Sequence, residues 1–292
     1  MRAAFDQVQK ESSELIVIDR RLDNTAPWQE WASQIVDRGF AIVSIGPGMQ
    51  DDFHALQQLA GTVGFRDKQA FCFVDRTDGY FPVGYSHIGK ENSDRCEIFN
   101  YWHRFKDEHQ QYEFSRSEFY SRFASYEAQV AGYGQKLVDE IRKRYGYARE
   151  IPTRDDSYLQ YNHYREDLRL GNSRYLQGKH EDGHLITIIK PNAPGLVLFQ
   201  GDKECLVDVA KDQAIVISGS LLTELSDGEI QPTFHAVLNL TLPTARASIV
   251  YNVNVLSNII PSFKQGRDIR MYDFANERHL EFGHAPYVIE QV

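Results

Sequence analysis

The stretch Gly178-Lys179-His180-Glu181-Asp182-Gly183-His184-Leu185-Ile186-Thr187 sets a histidine and a carboxylate two positions apart, just before a short β-branched run. On extended backbone, residues i and i+2 face the same side, so His180 and Asp182 are expected to point into one cavity from one strand end. A third polar group of the same kind, His235, lies 55 positions after His180, inside the apolar run Phe234-His235-Ala236-Val237.

Around that stretch the chain reads as β-rich. Beyond Pro152, short β-branched and aromatic segments separated by Gly and Pro turns occupy 158–164, 185–189, 195–199, 205–209, 214–217, 233–240 and 247–253. Such spacing indicates a sandwich or jelly-roll barrel. Upstream the opening is β-α-β-α. Strands are expected at 15–19 and 40–45. Between them runs a helix whose apolar face is Trp28, Trp31, Ile35 and Val36, stopped by Gly39, and a second helix follows, carrying Phe53, Leu56 and Leu59 and capped by Asp51 or Asp52.

Residues 71–126 hold fifteen of the chain's aromatic side chains, of which there are three Trp, sixteen Tyr and seventeen Phe in all. Phe119, Phe123, Tyr126 and Val130 fit the core face of a long helix over 117–145. The segment 79–102 shows no sustained period and is expected to be irregular, walling a pocket. The resulting expectation is a mainly β chain with helices, organised as an N-terminal mixed α/β region (1–150) packing on a β-rich catalytic region (151–292), together one structural unit.

Composition excludes several classes of function. Hydrophobic residues make up 42% and charged residues 25%, ordinary values for a compact fold. With 41 acidic against 32 basic side chains and a net charge of −9, the surface should repel a phosphate backbone, so nucleic-acid partners are not expected. The basic trio Arg142, Lys143 and Arg144 falls at a predicted helix end, where cations meet the negative end of the dipole. Three scattered cysteines without a CxxC fit a reducing cytoplasm, and no run approaches the ~20 apolar residues of a membrane span.

Two neutral imidazoles and one carboxylate on one face leave three of six positions open on a bound metal, the arrangement of non-haem iron(II) oxygenases. A His-x-Asp pair alone is common by chance. What strengthens the reading is Arg246, which enters the apolar run Ala247, Ile249, Val250, Tyr251 eleven residues beyond His235. A guanidinium there is costly to bury unless it meets an anion, and its fork suits bidentate capture of a carboxylate. Ser248 would face the same side and add a hydroxyl.

His180-Glu181-Asp182 with Leu185-Ile186-Thr187, then Gly195-Leu196, Gly219-Ser220, Asp227-Gly228, His235 and Arg246-x-Ser248, resembles the isopenicillin N synthase-like family of iron(II) and 2-oxoglutarate dioxygenases. The likeness extends to 15–19 and to Asp37-Arg38-Gly39-Phe40, and is weak over 65–158. It implies a double-stranded β-helix (jelly-roll) core flanked by N-terminal helices, with Fe(II) on His180, Asp182 and His235. It also implies 2-oxoglutarate and O2 as co-substrates, the far carboxylate of 2-oxoglutarate lying on Arg246 and Ser248. Asn162-His163-Tyr164 is similar to the family's Asn-x-Tyr element, which adds Asn162 and Tyr164 to the 2-oxoglutarate residues. Two positions depart from the family's pattern: Arg165 stands where a proline often follows that tyrosine, and Ala236 where an arginine is common after the distal histidine.

The expected reaction is hydroxylation of a small molecule, with desaturation or cyclisation as related outcomes. The substrate class is expected to be a specialised metabolite or an amino-acid derivative. An isopenicillin N synthase-like iron oxidase that does not use 2-oxoglutarate is the alternative, and a non-catalytic metal- or ligand-binding barrel is a third reading. Substrate-pocket candidates are Tyr85, Arg95, Asn100, Tyr101, Tyr161 and Lys179, each of which also has a plainer reading as a core aromatic or solvated charge. His184 is expected in a solvated turn, His163 as structural, and Glu181 as facing away from the metal. No GxSxG elbow or dinucleotide fingerprint is present.

Overall fold

The computed structural model describes residues 16–19, 28–83, 87–88, 92–93, 95–164, 173–240, 245–256 and 259–281. The chain opens with β1 (Ile16–Asp19), α1 (Trp28–Arg38), β2 (Phe40–Ser44), α2 (Pro47–Leu59) and α3 (Phe65–Ala70). Next come β3 (Cys72–Phe73), β4 (Asp78–Phe81), β5 (His87–Ile88), β6 (Asn92–Ser93), β7 (Glu97–Trp102), α4 (Lys106–His109) and α5 (Glu118–Arg144). The strands β8 (Tyr158–Tyr164), β9 (Tyr175–His180), β10 (Ile186–Pro191), β11 (Leu196–Gln200), β12 (Lys203–Asp208) and β13 (Gln213–Ser218) follow. After α6 (Ser220–Leu225) come β14 (His235–Leu238), β15 (Arg246–Val253), β16 (Ile259–Pro261), β17 (Asp268–Arg270) and α7 (Met271–Glu281).

Two sheets form the jelly roll without closing into a barrel. The larger runs β2-β13-β10-β15-β8-β7-β4-β3, antiparallel throughout, and the smaller runs β1-β12-β11-β14-β9. Strand alternation divides the side chains of the large sheet. Leu159, Tyr161, Ile186, Ile188, Ala214, Val216, Ile249 and Tyr251 face outward into the helix-covered core. Ile189, Ile215 and Ile217 face inward and meet Leu196, Leu198 and Val207 of the small sheet. The lumen between the sheets is where the polar inner-face residues described below collect.

Helix α5 covers the outer face. Ser117 caps it by accepting the Tyr120 backbone N–H, and its buried stripe includes Phe119, Phe123, Tyr126, Val130, Leu137 and Ile141. Gly134 sits where a Cβ would lie 2.8 Å from Val253, so its missing side chain sets how closely the helix approaches β15. The basic trio does lie in the last turn of this helix, and Arg142 donates to the carbonyls of Tyr147 and Ala148. Helix α1 buries Trp31, Ala32 and Ile35 and stops at Gly39, whose φ of +83° only glycine adopts freely.

Two local expectations are corrected. Helix α2 starts at Pro47 behind Gly46, a first-turn position whose missing N–H costs nothing, rather than at an aspartate cap. Asp52 lies inside that helix, buried, and accepts from Arg122 and Gln129. The segment 79–102 is not irregular throughout, because β4 and β7 extend the large sheet and their outward residues are absorbed by the helix layer. Residues 259–281 contain the β16–β17 hairpin and α7.

Candidate metal and keto-acid site

His180 is the last residue of β9 and pairs directly with His235, the first residue of β14. Their ring centroids are 4.2 Å apart. Asp182 lies two residues past the end of β9, in the connection to β10, and its Oδ1 is 3.8 Å from His180 Nε2 and 3.9 Å from His235 Nε2. One ligand atom from each of the three lies within 4.8 Å of the others, and this is the single such cluster among the described residues. The i, i+2 expectation therefore holds in its consequence, although a loop and not the strand itself carries Asp182.

That loop is clamped by the start of α6. Ser220 N–H donates to the Asp182 carbonyl at 3.0 Å, Leu221 N–H to the His184 carbonyl at 3.2 Å, and Gly219 N–H to the Leu185 carbonyl at 3.1 Å. A Cβ on Gly219 would lie 2.2 Å from the His184 carbonyl oxygen and 2.6 Å from that of Asp182, so no other residue fits without moving the loop. The histidines are oriented from behind. His180 Nδ1 is 2.8 Å from the Gly178 carbonyl, which requires the proton on Nδ1 and leaves the Nε2 lone pair facing the centre. His235 Nδ1 stands 3.4 Å from the Thr233 carbonyl in the same sense.

Electrostatics favour the ligand protonation states. Burial, with His235 beside it, pushes the His180 imidazole down to about 4, so it is neutral at pH 7. Burial works against the Asp182 carboxylate, yet His235, His180 and His184 together with the Thr187 hydroxyl outweigh it and hold the group below its ordinary value.

Arg246, the first residue of β15, is 1% exposed, and its Nε and Nη1 have no hydrogen-bond partner. Its guanidinium stacks over the Tyr164 ring at 4.8 Å, Tyr164 being its cross-strand neighbour on β8. Burial lowers its pKa while Tyr164 opposes the shift. Gly195, at φ +125°, places its backbone so that a Cβ would be 3.5 Å from Arg246 Nε. Ser248 pairs with Asn162 across the same two strands, Asn162 Nδ2 to Ser248 Oγ being 3.5 Å. The structure thus brings Arg246, Ser248, Asn162 and Tyr164 onto one patch of the inner face.

The pocket candidates separate. Tyr101 packs on His109, Tyr120 and Phe123, and Tyr161 on Phe119, so both belong to the helix-covered outer face and are withdrawn from the site. Burial accordingly raises the Tyr101 hydroxyl to about 12. Lys179 is exposed, one position out of phase with His180, and its ammonium stands over the Phe199 ring at 4.4 Å on the outside of the small sheet. Asn100, cross-strand neighbour of Gln160, does face inward. Arg95 precedes β7, half-buried, and its backbone N–H donates to Leu176 on β9. Tyr85 and Arg165 lie outside the described residues.

His184 is a second correction. It is buried, not solvated, with Nε2 at 3.3 Å from the Tyr158 hydroxyl, and burial lowers its pKa. Glu181 lies in the same loop beside Ser220, and burial raises its carboxyl to about 7. His163 Nδ1 lies 3.8 Å from Glu97 Oε2 on the outer face. Sequence reasoning missed Tyr158, Thr187 and Asn252. Continuing the alternation by two from Tyr164 and from Arg246 would have reached Tyr158 and Asn252.

No protein-family model and no curated protein matches the sequence. Solved structures do. A full-length Neurospora crassa protein crystallised in complex with alpha-KG superposes at TM-score 0.70 and 15% identity, over 86% of this chain and 89% of that one. A putative 2OG-Fe(II) oxygenase family protein from Caulobacter crescentus gives TM-score 0.70 at 19% identity over 87% and 93%. The rice dioxygenase for auxin oxidation gives 0.67 at 16% over 93% and 96%. The chain therefore has the fold of the 2-oxoglutarate and iron(II) oxygenases.

Proposed function

We propose that the chain is an iron(II)- and 2-oxoglutarate-dependent oxygenase that oxidises a small molecule. The observation that carries this reading is Arg246, a fully buried guanidinium with two unpartnered nitrogens on the same inner face as a His-Asp-His cluster. A buried cation with free donors requires an anion, and a planar carboxylate matches it. The donor set of two imidazoles and one carboxylate fits iron(II) with positions left for co-substrates. The structural neighbour crystallised with alpha-KG supports the same assignment.

In this reading His180, Asp182 and His235 hold the metal. Arg246 fixes the remote carboxylate of 2-oxoglutarate, with Ser248 and Asn162 beside it and Tyr164 stacked beneath the guanidinium. Bound iron(II) supplies the oxidising chemistry with O2 and the keto acid. The chain's own work is to keep the His180 imidazole neutral, point both Nε2 atoms inward and close the lumen to water. Hydroxylation is the default outcome, with desaturation or cyclisation as variants. A specialised metabolite or amino-acid-derived compound is the substrate class we favour, acting in the cytoplasm. No helix of the described residues is long and apolar enough to cross a membrane.

The test is anaerobic titration of iron(II) protein with 2-oxoglutarate, followed by succinate measurement in air. A visible charge-transfer band on keto-acid addition and succinate formation are expected. Absence of 2-oxoglutarate binding would leave Arg246 to hold a substrate carboxylate directly, as in the alternative oxidase.

A further inference from the structure

The inner face of the large sheet carries two polar rows beyond the keto-acid patch. In the nearer row, Val250 of β15 stands beside Gln160 of β8 and Asn100 of β7. In the next, Thr187 of β10, Asn252, Tyr158 and Trp102 stand side by side on four consecutive strands. Alternation places all of them on the face that carries Arg246 and Ser248. The second row abuts the metal ligands, because the Thr187 hydroxyl lies beside the Asp182 carboxylate.

Two carboxamides in these rows are incompletely satisfied. Asn252 is 3% exposed and its Nδ2 has no partner. Asn100, also 3% exposed, gives its Nδ2 to the Thr77 carbonyl at 3.0 Å, which fixes its orientation and leaves Oδ1 without a partner. Trp102 Nε1 donates to the same carbonyl at 3.2 Å, so the Asn100 amide cannot turn over without losing that anchor. An unpaired buried amide is costly, and such groups in a lumen mark either a ligand or an ordered water. None of these row residues is ionisable near neutral pH, so they offer nothing to a charged substrate. A donor on one side and an acceptor on the other, two strands across and two residues along (roughly 12 Å between backbones), leave room for a compound the size of one ring.

We propose that Asn252 and Asn100 are the specificity residues of the substrate site, and that the substrate is a small neutral compound presenting an amide-type carbonyl to Asn252 and an N–H to Asn100. This rests on the oxygenase reading above. A site built to hydrogen-bond discriminates strongly against analogues that lack the matching group, because its own polar atoms are then left bare.

The experiment is saturation-transfer difference NMR on the full chain loaded with zinc(II), with and without 2-oxoglutarate. The probes are dihydrouracil, whose N1–H and C4 carbonyl lie on opposite sides of the ring, 1-methyldihydrouracil and cyclohexanone. Dihydrouracil is expected to bind, and removing or methylating the N1–H is expected to weaken binding by roughly tenfold. Asn252→Leu, which keeps the volume and removes the unpaired donor, is expected to weaken dihydrouracil binding by a similar factor while leaving 2-oxoglutarate affinity unchanged. Equal binding of dihydrouracil and 1-methyldihydrouracil to the wild-type chain overturns the proposal, as does absence of dihydrouracil binding. Unchanged affinity in Asn252→Leu does the same. The wild-type panel decides the question even if that variant does not fold. Loss of 2-oxoglutarate binding in the wild type, with the probe preference intact, counts against the oxygenase reading instead.

Discussion

Replacing Arg246 with methionine is expected to abolish keto-acid capture while sparing the fold. The guanidinium is 1% exposed with Nε and Nη1 unpartnered, so a bound carboxylate would complete two charge-assisted hydrogen bonds. At about 1.5–3 kcal/mol for each such bond, their loss amounts to roughly 3–6 kcal/mol, or a 10²- to 10⁴-fold weaker complex. The apo protein should respond in the opposite sense. Methionine removes a buried charge without an anion, a change worth about 1–4 kcal/mol in favour of the apolar residue in comparable cases. Against this stands the lost stacking on Tyr164, about 0.5–2 kcal/mol. The apo melting temperature should therefore hold or rise, while the stabilisation from saturating 2-oxoglutarate, about 2.7 kcal/mol at a hundredfold excess over Kd, disappears. Arg246→Lys keeps the charge but not the fork and should fall between the two. Calorimetric titration of the manganese(II) form and thermal unfolding with and without 2-oxoglutarate measure both quantities. Binding of 2-oxoglutarate by Arg246→Met within threefold of wild type would refute the reasoning.

Other consequences are as direct. His180→Ala should eliminate manganese(II) binding at micromolar metal, because it leaves one imidazole and one carboxylate; a retained stoichiometric site by electron paramagnetic resonance would count against the ligand assignment. Gly219→Ala should move the Asp182 loop, costing roughly 2–4 kcal/mol of stability and most of the metal affinity, since its Cβ would lie 2.2 Å from a carbonyl oxygen; wild-type metal affinity in this variant would contradict the clamp. In the metal-free protein His180 should contribute a loss of stability as pH falls. His180 has a folded pKa of about 4 against an ordinary 6.5, so the unfolded chain binds the extra proton first. That contribution is complete above pH 6.5 and lost toward pH 4, about 3 kcal/mol in all, while the raised Glu181 carboxyl, about 7 against an ordinary 4.5, offsets a similar amount over the same window. Denaturation series from pH 4 to 7 on the wild type and on His180→Asn should therefore differ in slope, the variant gaining stability relative to the wild type as pH falls.

The His-Asp-His cluster is legible in the sequence because its signal is local and chemical: a histidine and a carboxylate at spacing two, and a second histidine and an arginine each interrupting an apolar run. The alternation rule also locates Asn162, Tyr164 and Ser248 on one face. It fails where a strand does not read as one. Without a readable period over 79–102, Tyr101 passes for a pocket residue, whereas β7 makes it an outward residue under α5. Lys179 and Tyr161 become pocket candidates through their proximity to the metal strands, although each lies out of phase with the inward residue beside it. His184 misleads for a different reason. Its burial comes from Tyr158, 26 positions upstream, and local sequence does not encode that contact.

The register between His180 and His235 has a meaning beyond chemistry. Strand β9 is the terminal strand of its sheet, and its ladder with β14 slips at two points after that pair. A cation shared by the two histidines and by Asp182 would rivet the loose margin of the sheet to its interior and to the loop that follows. When the cation is withheld, β9 would lose that fastening, and its departure would bare backbone groups to neighbouring molecules. If the proposed metal site is correct, supply of the metal would then govern how long each copy of the chain survives.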